Sequence, residues 1–66
     1  MLHGIEIVCE NSENIRELLK DYDVYPLNNH FISVSFSFNC ENYYSQFEKC
    51  IATLVFHNVP YLKIQF

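Results

Sequence analysis

The stretch Asp23 to Phe38, DVYPLNNHFISVSFSF, decides the topology of this chain. Read as a loop leading into one strand, it gives the order βαβαβ, whose two crossovers demand a parallel sheet. Read as two strands joined by a turn, it gives βαββαβ and an antiparallel sheet. Phe31 to Phe38 alternates strictly: Ile32, Val34, Phe36 and Phe38 face one way, and Ser33, Ser35 and Ser37 face the other. A parallel strand covered on both faces would be apolar on both, so the serines mark a half-buried antiparallel strand. The Asn28-Asn29 pair can close a tight hairpin, because asparagine tolerates the positive φ that such turns need. Val24 to Leu27 then forms the preceding strand. Its Pro26 requires an edge position, where a missing N–H breaks no ladder.

Working outward from that hairpin, the flanking segments complete the pattern. Leu2 to Cys9 reads as a strand with Ile5, Ile7 and Cys9 on one face and Gly4, Glu6 and Val8 on the other. Asn11 or Ser12 can cap a helix whose stripe is Ile15, Leu18, Leu19 and Tyr22. Asn39 is expected to cap a second helix, Cys40 to about Asn58, with the stripe Tyr43, Tyr44, Phe47, Cys50, Ile51, Leu54 and Val55. After Pro60 a last strand, Tyr61 to Phe66, is expected to turn Leu62, Ile64 and Phe66 inward and Tyr61, Lys63 and Gln65 outward. Residues 1–66 are thus expected to form a single α+β domain, a ferredoxin-like βαββαβ sandwich. Its four-stranded antiparallel sheet has the order 4-1-3-2, with two helices on one face and the other face open.

A chain of this size buries only about 60% of its unfolded surface, so its core must be filled efficiently. Six Phe and five Tyr do that, but they make up 17% of the residues, more rings than two helices and one sheet are expected to hide. The charge is acidic, four Lys and Arg against eight Asp and Glu, and Arg16, Lys20, Lys49 and Lys63 form no stripe. Binding to a phosphate backbone would lack its main driving term. Cys9, Cys40 and Cys50 are an odd number with no CxxC pair, which argues for a reducing, cytoplasmic setting over a disulfide framework. MLHGIEIVCE shows no cationic region followed by an apolar run, so no signal peptide is expected, and no apolar run is long enough to span a bilayer.

Few residues suggest chemistry. The topology puts Cys9, Glu10, His30 and His57 at one end of the sandwich, where a metal could draw ligands, though no metal-binding spacing joins them. The element order resembles that of the heavy-metal-associated (copper chaperone) domain, whose metal-binding CxxC follows the first strand. Here that stretch is Cys9-Glu10-Asn11-Ser12, with serine at the second thiolate position, so the activity does not carry over. Cys40 at a helix N-terminus would favour a thiolate, but Glu41 opposes it and only His3 lies near that end as a base. The serine face offers no ring for stacking RNA bases, and Arg16 on an exposed helix face makes no anion cradle.

Surface features are more informative. The last strand is an edge without an internal proline, guarded by Lys63 alone, and such an edge can accept a strand from another chain. Tyr25, Phe31, Phe56 and Tyr61 are candidate exposed rings, and with Lys63 and Gln65 they form the expected partner-binding set. The reading is a small non-enzymatic protein-interaction domain, regulatory, inhibitor, immunity or antitoxin-like. It would bind a protein partner or form a homodimer through the edge strand and exposed aromatics, with no cofactor, nucleic acid or membrane. The alternative is a ligand- or metal-binding regulatory domain using the Cys9, His30 and His57 end.

Overall fold

A computed structural model describes residues 1–66. Along them lie β1 (Gly4–Glu10), α1 (Glu13–Leu18), β2 (Val24–Pro26), β3 (Phe31–Ser37), α2 (Tyr43–Phe56) and β4 (Tyr61–Gln65). The strands form one antiparallel sheet in the order β2-β3-β1-β4, which is the expected order counted from the opposite edge. Ile15 and Leu19 from the α1 segment and Cys50 and Leu54 from α2 share one buried cluster with Ile5, Ile7, Cys9, Ile32, Val34 and Phe36. Both helices therefore cover the same face of the sheet, and the other face is open.

The opening stretch folds as two strands, but its turn works differently from expectation. Asn58 is the only non-glycine residue with positive φ, so neither Asn28 nor Asn29 adopts the left-handed backbone of a tight two-residue hairpin. Instead the Asn28 side-chain oxygen accepts hydrogen bonds from the N–H groups of His30 (2.7 Å) and Phe31 (2.9 Å). The side chain replaces a backbone turn, as Asx turns do. The Asn11 amide also donates to the Asn28 carbonyl at 3.0 Å, tying this turn to the segment after β1. Leu27 N–H donates to Phe31 C=O, so by antiparallel alternation Tyr25 bonds to Ser33 while Val24 and Pro26 point away. The absent N–H of Pro26 thus faces the free edge.

Ser12 is the N-cap of α1 and accepts a hydrogen bond from Ile15 N–H at 3.2 Å. The helix stops at Leu18, earlier than its stripe suggests, and Leu19 and Tyr22 reach the core through the following turn. Asp21 and Asp23 beyond that end oppose the helix dipole and favour termination. Tyr22 packs edge-on against Phe36, with ring centroids 6.1 Å apart.

The start of α2 corrects another expectation. Asn39 is not its cap: the N–H groups of Asn39 and Cys40 are taken by the Ser37 hydroxyl and carbonyl, which winds residues 39–42 into a turn. The helix begins at Tyr43 with Asn42 as N-cap, leaving Cys40 outside its first turn. At the other end the chain closes a Schellman motif. Asn58 adopts φ 57°, its N–H bonds to Val55 C=O, and Val59 N–H bonds to Leu54 C=O.

That motif sets the facing of β4. It draws Val59 against the core, and the two-residue strand period then puts Tyr61, Lys63 and Gln65 on the helix-covered side. The ladder agrees, pairing Cys9 with Tyr61, Ile7 with Lys63 and Ile5 with Gln65. The expected inward set, Leu62, Ile64 and Phe66, lies on the open face, exposed by 64%, 42% and 47% respectively.

Candidate interaction surface

The last strand presents two kinds of surface, one made by its backbone and one by its side chains. Gly4 and Phe66 exchange both N–H to O=C bonds, at 3.0 and 3.1 Å. In an antiparallel ladder such pairs recur every second residue, so Leu62, Ile64 and Phe66 turn their backbone groups toward β1. Tyr61, Lys63 and Gln65 turn theirs toward the free edge. Three of the expected partner-binding residues therefore hold the unpaired backbone positions of β4. Lys63 Nζ lies 6.0 Å from the centroid of the Phe47 ring, so this charge leans back over α2.

The remaining expected residues divide between faces. Tyr25 and Phe31 are exposed on the open face through their register with Ser33 and Glu10. Phe56 is exposed near the C-terminal end of α2, edge-on to His57 at 5.1 Å. The sequence reading missed Leu62, Ile64 and Phe66 because it assumed that the apolar residues of an alternating strand must face the core. The signal that could have found them is Val59, whose parity fixes every residue after it.

Across the open face, ladder pairing aligns Tyr25, Ser33, Val8 and Leu62 in one row. Ser33 is only 2% exposed there, covered by its larger neighbours. A groove of about 510 Å³ opens at the end of this face, lined by residues including Val8, Glu10, His30, Phe31 and Leu62. A second hollow of about 430 Å³ lies on the helix side between α2 and the β4 edge, lined in part by Phe47, Ile51, Tyr61 and Lys63.

The chemically reactive side chains do not converge. No three His, Cys, Asp or Glu residues gather into a set that could hold a metal ion. The expected meeting of Cys9, His30 and His57 fails because Cys9 points into the core from the helix-covered face of β1. Burial raises its thiol pKa, and the neighbouring Glu10 carboxylate adds to the rise. His30 instead borders the open-face groove, and His57 lies edge-on to Phe56. Burial first, and Cys9 second, push the Cys50 thiol up to about 11. Both thiols are kept protonated and act as small core hydrophobes. Cys40 is exposed, and Ser12 is occupied as a helix cap.

No helix is long and apolar enough to cross a membrane. Neither a protein-family model, nor a curated protein, nor a solved structure matches this chain.

Proposed function

We propose that the chain is a ferredoxin-like, non-enzymatic protein-interaction domain that takes up a strand at its β4 edge, from a protein partner or from a second copy. The observation that carries this reading is the row of outward backbone groups at Tyr61, Lys63 and Gln65 on an edge that has no proline. Strand addition draws affinity from main-chain hydrogen bonds and specificity from the side chains beside them. Tyr61 and Gln65 flank Lys63 on the same side and serve as those selecting side chains, with Phe56 at the rim. A regulatory, inhibitor, immunity or antitoxin-like role uses such stoichiometric capture and needs no catalytic group. Three free thiols suit a reducing, cytoplasmic setting.

The test is Lys63→Pro. It removes an outward N–H and leaves the ladder with β1 intact, so the fold survives while an added strand loses a donor. Sedimentation of the pure protein over a wide concentration range, with affinity capture from the native host, should reveal a dimer or a stoichiometric complex that Lys63→Pro weakens. A protein that stays monomeric at high concentration and captures no partner sinks the reading, as does a complex indifferent to the substitution.

A further inference from the structure

The four Lys and Arg side chains all belong to one side of the sheet. Arg16 and Lys20 come from the α1 segment and Lys49 from α2, while Lys63 faces the same side through its register with Ile7. The open face has no Lys or Arg. It carries Glu6, paired with Ser35 and Ile64, and Glu10, paired with Phe31. Around these carboxylates stand exposed Phe31, Leu62, Ile64 and Phe66, with Val8 beneath them. The face is therefore apolar with acidic groups alone, whereas the far side mixes the four cations with Glu13, Glu17, Glu41 and Glu48, Lys20 pairing with Glu17 there.

We propose that this open face docks an amphipathic, basic helix of another protein. The apolar side chains supply area that water disfavours, and Glu6 and Glu10 select the sign of what covers it. A second copy set face to face would press Glu6 and Glu10 against their own kind in a partly dried interface, which costs several kcal/mol on the order of a like-charge contact. Nucleic acid and anionic lipid are repelled for the same reason. A helix fits because the sheet already accepts helices on its other face. The longest dimension of the molecule, 31 Å, sets an upper bound of about 20 residues on a helix seated along it, at 1.5 Å per residue. This inference is separate from the strand-addition reading, since a helix seated on side chains leaves the β4 backbone free.

The probe is a fluorescent helical peptide of about 18 residues with leucine on one face and lysine on the other. A matched peptide with glutamate in place of lysine is the reference, and anisotropy reads the binding. The leucine–lysine peptide should bind and the leucine–glutamate peptide should not. Glu6→Gln with Glu10→Gln, and separately Leu62→Ser, should each weaken binding by about tenfold, equivalent to 1.4 kcal/mol. Glu41→Gln with Glu48→Gln removes equal charge from the helix side and should leave the affinity unchanged. Lys63→Pro should also leave it unchanged, which separates failure here from failure of the edge reading. Circular dichroism checks that each variant is folded, and the glutamine pair decides if Leu62→Ser does not fold. The proposal is overturned if the leucine–lysine peptide does not bind, if the helix-side pair weakens binding as much as the open-face pair, or if phosphatidylserine vesicles bind through the same residues.

Discussion

Gly4 occupies a place that no larger residue fits. A Cβ there would collide with the Phe36 carbonyl oxygen and come within 3.0 Å of the Phe66 ring. The Phe66 side can give way, but the backbone carbonyl of a central strand cannot, so Gly4→Ala should destabilise the fold by about 1–3 kcal/mol. Urea unfolding measures this as a lower midpoint. The buried thiols set a second residue-scale expectation. The folded pKa of Cys50 is raised from 9.0 to about 11, so the fold holds its proton more tightly than the unfolded chain does. Below pH 9 both states are protonated and this group adds no pH dependence. Between pH 9 and about 11 the unfolded chain loses the proton first, and stability falls as pH rises through that window. Cys9 and Tyr22, also raised by burial, act in the same direction. Unfolding free energies measured from pH 7 to 11 should decline at the alkaline end, and Cys50→Ala should make the decline shallower without abolishing it. The identities of these residues were plain in the sequence. Their environments were not, because desolvation belongs to the packed neighbours and not to the residue itself.

At the scale of elements, β4 gives the sharpest contrast. Ile64 turns its N–H toward β1 and Lys63 turns its N–H away, so two adjacent prolines should behave differently. Ile64→Pro removes a ladder bond and should detach the strand, with a lower melting temperature and faster amide exchange in β1. Lys63→Pro should melt close to the parent protein. Equal melting temperatures would mean that the ladder parity is wrong. Where the elements lie was largely legible: the serine alternation announced β3, Pro26 announced an edge, and the Ile15 and Leu19 stripe announced α1. Three details were not. The hairpin is held by the Asn28 side chain, because one Asx oxygen satisfies two N–H groups without a left-handed residue. The second helix starts at Tyr43 because Ser37 takes the N–H groups of Asn39 and Cys40 and holds them in a turn, where Asn39 was expected to cap. The third is the facing of β4, which follows from Val59 and not from the hydrophobicity of Leu62, Ile64 and Phe66.

On the scale of the whole molecule, a single cluster of ten buried residues joins both helices to the sheet. Leu54 is fully buried within it, and Leu54→Ala should cost about 2–5 kcal/mol, a large part of the stability of so small a chain. Denaturant unfolding followed by helix dichroism and by tyrosine fluorescence should show one shared transition at a lower midpoint; two separated transitions would contradict a single core. The rings that exceed the core's capacity are visible as exposed Tyr25, Phe31, Tyr44, Phe56, Tyr61 and Phe66. By itself the sequence determined the α+β class, the two-strand reading of the opening stretch, the edge position of Pro26 and the acidic balance. These follow from residue identity and period, which act locally. Only the tertiary structure decided which face β4 turns outward and therefore where the apolar surface lies. The physical reason is parity: a strand with long side chains on both faces can be read either way, and the choice was made by Asn58 and Val59, where α2 closes and the chain re-enters the core.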